Sequence, residues 1–448
     1  MKLLKIGISG VRGIVGESLT PKTVMDFAAA FGAFAEGRPI VLGRDTRIHG
    51  PMLRSACISV LLSAGCDVID LGVCPTPILQ HAVRGLGAGG GVSITAGHND
   101  IQWNALAFIN AEGTYLNPFQ GTEVLDIYHV GRFRNSDTDG LGALIETTAP
   151  IEAYFKALTG FLDVGAIRQA RFKVVIDACS GAGAPFLKTF ADRLGFDLIP
   201  INDEPNGFFP HDPEPRPRNA QQAVSVLKVI GADAGFLLNS DVSRVSTVSE
   251  TGESLSEEFT FPLVAESVLA RRRGPIITSF STSRMIEDVA GRRCPLLRTK
   301  VGQSHIIHIA LQEEAVLAGE GSGGIAALDF QPAFDGFLTM GLVLETMAKS
   351  GRRLSALVGA LPRYHIVKEK IACPPARIHG VVAEVKTLFG AKAIDTGDGV
   401  RVEDKTGWVQ VRASSTEPMV RVIAEDRDRD RARARADEIL HDLELMVR

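Results

Sequence analysis

Two arginines and three hydroxyl side chains lie close together in the segment 412–421, which has the sequence RASSTEPMVR. A guanidinium group offers forked N–H donors that match the oxygens of a phosphate. Hydroxyl groups and loop amides supply donors for the oxygens that remain. This combination predicts a phosphate-binding loop; the alternative is an ordinary surface turn. The predicted phosphate ligands are Arg412, Ser414, Ser415, Thr416 and Arg421.

A second polar segment, 319–324 with the sequence GEGSGG, places a carboxylate and a hydroxyl two positions apart. A carboxylate accepts hydrogen bonds, whereas a hydroxyl both donates and accepts them. Glu320 and Ser322 therefore suit two neighbouring hydroxyl groups of a sugar. The alternative is that this glycine-rich segment is only a flexible turn between a strand and a helix.

The hydrophobic pattern indicates which elements position these loops. Short apolar runs alternate with amphipathic stretches, which is typical of βα units in a mostly parallel sheet. The predicted strands of this kind are 40–43, 68–71, 174–177, 234–238 and 275–279, and a predicted helix covers 51–64. Further on, 400–402 and 408–412 alternate apolar and polar residues, as half-buried antiparallel strands do.

We therefore predict three similar α/β mixed-sheet domains plus a smaller C-terminal α+β domain around a central cleft. The predicted domains are 1–150, 151–256, 257–370 and 371–448. The segment 205–217 holds five prolines and is predicted to be a linker. Two prolines at 374–375 mark a boundary before the last domain. The charged tail from residue 425 predicts a solvated helix with i,i+4 ion pairs, the alternative being a partner site.

Composition narrows the class of protein. The chain has 448 residues, 45% of them hydrophobic and 22% charged, which is typical of a soluble globular protein. A net charge of −4 gives no reason to expect nucleic acid or a membrane as partner. No apolar run is long enough for a signal peptide or a membrane span. Six scattered cysteines without a Cys-x-x-Cys pair predict reduced, buried thiols and a cytoplasmic protein.

Several loops, in this order and at these spacings, resemble those of the α-D-phosphohexomutases. This family includes phosphomannomutase/phosphoglucomutase and phosphoglucosamine mutase. Segments 7–13 (GISGVRG) and 41–47 (VLGRDTR) are similar to the family's GTSGIRG and VGRDTR. Segments 319–324 and 412–421 are similar to its GExSGH and RxSGTEPxxR, with Gly324 in place of histidine and Ser415 in place of glycine. The resemblance implies that segment 319–324 binds the sugar and that segment 412–421 holds the phosphate that does not react.

The loop at 95–100 departs from the family at its centre. It has the sequence TAGHND, where the family has TASHNP and uses the serine to carry the transferred phosphoryl group. Gly97 has no side chain and cannot be phosphorylated. Ala107 stands where the family has a lysine that serves as a general acid/base or contacts phosphate. No catalytic residue is therefore assigned, and Arg12, Arg47 and His98 remain candidates.

The segment 239–244 departs from the family's metal loop. It has the sequence NSDVSR, where the family has DGDxDR with three carboxylates on one Mg²⁺. Asp241 is retained as a weak metal ligand, with Asn239 and Ser243 at the other two ligand positions. Mg²⁺ usually needs one or two carboxylates together with a phosphate. We therefore expect no cofactor, or weak Mg²⁺ binding at most.

Three functional hypotheses remain open. The first is a regulatory or sensing protein that binds a phosphosugar or a similar phosphorylated metabolite without mutase turnover, alone, as a homo-oligomer or paired with an active paralogue. The second is an active enzyme: a phosphosugar mutase, with His98 as one conceivable phosphoryl carrier, or a different reaction that uses Asp45, Arg47 and Asp241. The third is a scaffold whose cleft is empty.

Overall fold

The computed structural model describes residues 4–291, 294–414 and 418–447. Four separate sheets follow one another along these residues, each with helices packed on it. This arrangement confirms the predicted class of three α/β domains followed by a smaller C-terminal domain. Short 3₁₀ helices lie at Thr138–Gly140, Ala184–Phe186, Pro217–Asn219, Glu257–Phe259 and Gly390–Lys392.

The first domain brings two of the predicted loops together. Its strands are β1 Lys5–Gly7, β2 Gly10–Ile14, β3 Ile40–Arg44, β4 Val68–Val73, β5 Gly90–Ile94, β6 Trp103–Asn110 and β7 Leu144–Glu146. Its helices are α1 Pro21–Phe34, α2 Gly50–Ser63, α3 Thr76–Leu86 and α4 Pro118–Val130. The strands lie in the order β1-β2-β6-β5-β3-β4-β7. Since β3 and β5 are parallel neighbours, the loops at 45–47 and 95–100 leave the same edge of the sheet.

The second domain places the segment 239–244 directly after its central strand. Its strands are β8 Lys173–Asp177, β9 Asp197–Ile201, β10 Ala234–Leu238 and β11 Val245–Ser249. The helices here are α5 Ala149–Phe161, α6 Val164–Ala170, α7 Leu187–Leu194 and α8 Gln221–Ile230. The order is β11-β10-β8-β9, with β10 parallel to β8 and antiparallel to β11.

The third domain holds the segment 319–324 in a turn between two antiparallel strands. Its strands are β12 Ile276–Ser279, β13 Leu296–Thr299, β14 Leu317–Gly319 and β15 Ile325–Ala327, in the order β13-β12-β14-β15. The helices are α9 Thr260–Arg271, α10 Met285–Ala290, α11 Gln303–Gln312, α12 Gly336–Ser350 and α13 Leu354–Gly359.

The fourth domain is an antiparallel sheet in the order β16-β20-β19-β18-β17. Its strands are β16 His365–Ala372, β17 Ile394–Asp395, β18 Gly399–Glu403, β19 Gly407–Ala413 and β20 Met419–Asp426, and its helices are α14 Ile378–Phe389 and α15 Arg429–Val447. The strand β16 begins before the predicted boundary at residue 371. It alternates exposed and half-buried residues as an edge strand does, and the two prolines at 374–375 follow its end.

The hydrophobic cores show which domains are joined by apolar packing. One continuous cluster runs through the first three domains and includes Leu79, Phe190 and Phe337. Inside it the Tyr154 hydroxyl donates to both oxygens of Asp335, at 2.9 and 2.8 Å. The fourth domain has a core of its own. The first three domains therefore form one packed body, to which the fourth is attached.

Two predicted surface segments are packed more closely than expected. The segment 205–217, predicted as a linker, folds back against the first domain, with the Phe209 ring 4.7 Å from the Arg47 guanidinium. In α15 the predicted i,i+4 pair exists between Arg433 and Asp437. One face of this helix is nevertheless buried against the fourth sheet through Ala432, Ala436, Ile439 and Leu443. No helix among the described residues has the length and apolar character needed to cross a bilayer.

Candidate functional site

Hydrogen bonds from two side chains to a backbone carbonyl hold the apex of the 95–100 loop. Gly97 has a φ of +54°, a conformation that favours glycine. Its carbonyl accepts hydrogen bonds from Arg47 Nη2 at 3.0 Å and from Ser240 Oγ at 2.7 Å. A Cβ atom placed on Gly97 would lie 3.6 Å from Asp241 Oδ2, which is ordinary van der Waals contact. The position therefore faces the 239–244 loop and has room for a side chain, but it carries no nucleophile.

Arg47 lies beneath this loop and is fully buried. Its Nε donates to Asp45 Oδ2 at 3.0 Å, and its terminal nitrogens donate to the carbonyls of Gly97, Asn99 and Asp100. Asp45 is equally buried. These bonds use the donors of Arg47 to shape the loop, so the structure does not support Arg47 and Asp45 as groups that act on a ligand.

His98 lies in the cleft among arginines of several domains. Burial, together with the nearby cations Arg244, Arg12, Arg421 and Arg216, holds the pKa of His98 well below its usual range. The imidazole is therefore neutral at pH 7. Burial also lowers the pKa of Arg12, whose Nη1 donates to Asn99 Oδ1 at 2.7 Å. The cationic side chains concentrated here suit an anionic ligand.

Ala107 belongs to the same cavity as Gly97. It lies on β6 opposite Gly10, and both Ala107 and Gly97 line a cavity formed by the first three domains. Arg12 and Tyr115 line it as well. The structure thus brings together the two positions at which the resemblance implies a phosphorylated serine and a lysine.

The 239–244 loop carries one carboxylate where the resemblance implies three. Asp241 Oδ1 accepts from Asn239 Nδ2 and from Ser243 Oγ, each at 2.7 Å. Mg²⁺ binds oxygen ligands, whereas here an amide N–H group points at the carboxylate. This donor set does not fit a three-carboxylate Mg²⁺ site. Across the described residues, no three His, Cys, Asp or Glu side chains are grouped as metal ligands would be.

The 319–324 turn holds Glu320 firmly in the cleft wall. Glu320 Oε1 accepts from the backbone N–H of Gly302 at 2.6 Å, and its Oε2 accepts from Ser322 Oγ at 3.0 Å. Gly302 thus lines the cleft beside Glu320. At Gly324 a Cβ atom would lie 2.4 Å from the ring of Phe334, so this aromatic side chain fills the space where a longer residue would begin.

The described residues of the predicted phosphate loop, 412–414 and 418–421, face this turn from the fourth domain. Register places Arg412 on β19 directly opposite Arg421 on β20. Both side chains line the cleft together with Ser414, Glu320 and Ser322. Arg412 is 8% exposed, and among the described residues its Nε has no hydrogen-bond partner. Ser415 and Thr416 lie outside the described residues.

Two comparisons with known proteins settle the family. Models of the phosphoglucomutase/phosphomannomutase domains match in order, the alpha/beta/alpha domains I, II and III at 3–135, 152–252 and 257–364, and the C-terminal domain at 367–441. The chain belongs to the phosphoglucomutase/phosphomannomutase, or α-D-phosphohexomutase, family. It is 36% identical over 429 residues to a phosphoglucomutase/phosphomannomutase of Thermococcus kodakarensis, covering 94% of each chain.

Other members of the family are similar over the same length. A probable phosphoglucosamine mutase of Methanopyrus kandleri is 33% identical, with 97% of this chain and 96% of that protein covered. The crystal structure of a phosphoglucomutase/phosphomannomutase family protein from Burkholderia thailandensis has a TM-score of 0.83 at 26% identity, covering 97% and 96% of the two chains. The resemblance drawn from the loops is therefore confirmed for the whole chain.

Sequence reasoning missed part of the phosphohexomutase cleft. Glu214 and Arg216, at the end of the proline-rich segment, line it and form an ion pair at 2.8 Å. From β16, the Lys368 ammonium reaches Glu257 at 2.9 Å and Glu258 at 2.8 Å. Burial raises the pKa of Glu258 to about 7, against the opposing effect of Lys368. Because these segments are far apart in the sequence, only one local feature indicated a role in the cleft, namely a lysine on a half-buried strand.

Proposed function

We propose that this phosphohexomutase-family protein binds a hexose phosphate, or a similar phosphorylated sugar, without phosphoserine-dependent mutase turnover. The observation that carries the proposal is Gly97, which occupies the apex of the catalytic loop without a hydroxyl group. Arg412 and Arg421 support phosphate recognition, and Glu320 and Ser322 support sugar recognition. All four line the same cleft.

Loss of turnover follows from which groups are missing. Without a covalent nucleophile, the pathway through a phosphoenzyme has no first step. Without the lysine at position 107, proton transfer to the sugar oxygens loses about 10²–10⁴-fold. These two losses do not compensate each other. Binding groups and transfer groups are separate sets of residues in this cleft, so recognition can persist alone.

The second candidate function is an active phosphosugar mutase, which the names of the relatives favour. A protein 36% identical over nearly the whole length is named a phosphoglucomutase/phosphomannomutase. A mutase built on this chain needs another phosphoryl carrier. His98 is the nearest candidate, because it follows Gly97 and its imidazole is neutral.

A turnover assay separates the two functions. Purified protein is incubated with hexose and hexosamine 1-phosphates, a hexose 1,6-bisphosphate as primer and MgCl₂, and formation of the 6-phosphate is measured. Binding of the same sugars is measured by calorimetry. We expect binding without turnover. A rate in the ordinary enzymatic range, roughly 1–10³ s⁻¹, would establish the mutase instead.

Two variants make this assay sharper. Gly97→Ser alone is expected to leave turnover at the background, because Ala107, Asn239 and Ser243 are unchanged. Clear activity in that variant would mean that the missing hydroxyl was the one obstacle. If the unmodified protein is active, intact mass measured after incubation with the bisphosphate identifies a phosphoryl adduct, and its loss in His98→Ala assigns the carrier.

We further propose that binding without turnover serves sensing or regulation, through a homo-oligomer or through pairing with an active paralogue. Light scattering after gel filtration, with and without hexose phosphate, measures whether the chain self-associates. Adding the protein to an active family member, and measuring kcat/KM of that enzyme, tests pairing. An unchanged kcat/KM and an unchanged mass would leave ligand binding as the sole activity.

A further inference from the structure

The loop after β10 carries a closed set of hydrogen bonds centred on Asp241. Its Oδ1 accepts from Asn239 Nδ2 at 2.7 Å and from Ser243 twice, at 2.7 Å from Oγ and at 3.2 Å from the backbone N–H. Asn239 Nδ2 also lies 3.1 Å from Ser243 Oγ. Three donors converging on one carboxylate oxygen use its acceptor capacity.

The orientation of the Asn239 amide follows from its other contact. Asn239 Oδ1 accepts from the backbone N–H of Arg244 at 3.0 Å. An amide N–H can only donate, so the carbonyl end of Asn239 is fixed toward Arg244 and the NH₂ end toward Asp241. The opposite orientation would place a carbonyl oxygen against a carboxylate. A hydrogen-bond donor, not a ligand oxygen, therefore faces the carboxylate.

The same loop joins the second domain to the first. The backbone N–H of Thr76 donates to the Asp241 carbonyl at 3.0 Å, and Thr76 Oγ1 donates to Asp241 Oδ2 at 3.3 Å. Ser240 Oγ donates to the Gly97 carbonyl at 2.7 Å and to Asp45 Oδ2 at 3.1 Å. The shape of the loop thus decides how two domains meet at the cleft.

We propose that Asn239 and Ser243 replace a divalent cation as the organising partner of Asp241, so that this loop keeps its shape and the cleft assembles without metal. Hydrogen bonds from N–H and O–H groups to an ionised carboxylate are stronger than those between neutral groups. These donors place positive partial charge around the Asp241 carboxylate, as a bound cation would. With carboxylates at 239 and 243 as well, the negative charge of the loop would again require a cation.

The unmodified protein gives the first test. Its melting temperature is measured in EDTA, in MgCl₂ and in MnCl₂, and free Mn²⁺ is followed by electron paramagnetic resonance. We expect equal melting temperatures and no depletion of free Mn²⁺ that depends on Asp241. A stoichiometric loss of the Mn²⁺ signal that disappears in Asp241→Asn would overturn the proposal.

The double variant Asn239→Asp/Ser243→Asp gives the second test. Three adjacent carboxylates repel one another, so the variant should melt at a lower temperature in EDTA and gain at least about 2–4 °C in MgCl₂. The matched control, Asn206→Asp/Ser225→Asp, makes the same exchanges at exposed positions of the second domain and should show no such gain. If the double variant does not fold, Asn239→Asp alone is measured.

A folded variant without a metal-dependent gain would contradict the proposal. These measurements need neither a sugar nor turnover, so their outcome is separate from that of the proposed function. A protein that binds Mn²⁺ through Asp241 can still bind phosphosugars without converting them. Conversely, a loop that binds no metal is compatible with a protein that binds no phosphosugar.

Discussion

At the scale of single residues, the proposed function rests on recognition residues that match the family's loops and on small residues at the positions where the resemblance implies transfer groups. Gly97 and Ala107 line one cavity, and neither residue offers a nucleophile or an ammonium group at its own position. Arg412 is buried in the adjoining part of the cleft, and burial lowers the pKa of its guanidinium without removing its charge at pH 7. A buried cation of this kind is costly unless a ligand or neighbour compensates it.

Arg412→Lys should weaken phosphosugar binding while the charge is kept. Lysine is a point charge and cannot make the paired bonds of a guanidinium fork. We expect Kd to rise about 10–30-fold, which corresponds to about 1.4–2 kcal/mol. Calorimetric titration with a hexose phosphate measures it. The control is Arg429→Lys, an exposed position of the same domain; equal affinities of the two variants would remove Arg412 from the phosphate site.

Gly324→Ala should destabilise the third domain through Phe334. The new Cβ would lie 2.4 Å from the ring, and Phe334 is 3% exposed with little room to move. Overpacking of this kind costs about 1–3 kcal/mol. Phe334→Leu in the same chain should recover part of the loss, and melting temperatures of the four proteins give the coupling. Additive effects would show that the ring does not restrict position 324.

At the scale of elements, most of the fold follows from the hydrophobic pattern, whereas the packing of segment 205–217 does not. The strand predicted at 174–177 matches β8, because a short buried run has few other options. The proline-rich segment lacks periodicity, so nothing local indicates that His211 reaches Asp177 at 3.1 Å. The same limit hid Arg216 and Lys368, which approach the cleft from distant segments. A loop motif can be recognised from neighbouring residues in the sequence, whereas the residues that line a cleft come from segments far apart in the chain.

His211 should make stability depend on pH. Burial disfavours its cation, but hydrogen bonds with Asp177 and Cys179 raise the pKa of His211 to about 11. In the unfolded chain the pKa is about 6.5. The folded state therefore binds the proton more tightly, and the stabilisation is complete below about pH 6.5 and is lost as the pH rises toward about 11, by at most about 1.4 kcal/mol per pH unit.

Comparison with His211→Gln measures this contribution. Glutamine keeps a donor for Asp177 but carries no charge. The difference in melting temperature between the two proteins should be largest near pH 6 and should shrink steadily through pH 9. His129→Gln, at an exposed position of the first domain, is the control. A difference that stays constant over this pH range would mean that His211 is neutral in the folded protein.

At the scale of the whole molecule, the fourth domain is held by polar contacts while the other three share an apolar core. Ser281 Oγ donates to Gln410 Oε1 at 2.6 Å, and the backbone N–H of Arg284 donates to Glu425 Oε1 at 2.9 Å. Arg401 donates from Nη1 to the Phe280 carbonyl. Since Arg412 lies on this domain and Glu320 on the third, ligand binding depends on how these contacts orient the two domains.

Arg401→Met should therefore loosen the fourth domain and weaken phosphosugar binding together. The Arg401 side chain is almost fully buried, with its guanidinium 4.3 Å from the Trp408 ring. Methionine keeps most of its volume but loses the bond to the Phe280 carbonyl, which is worth about 1–3 kcal/mol when a buried acceptor is left unpaired. We expect a lower melting temperature, a changed Trp408 emission and a Kd raised at least about 5-fold.

The control variant is Arg433→Met, on the exposed face of α15, which should cost at most about 1 kcal/mol of stability and leave Kd unchanged. If Arg401→Met lowered the melting temperature but left Kd unchanged, the contact between Arg401 and the Phe280 carbonyl would stabilise the fourth domain without setting the orientation on which binding depends.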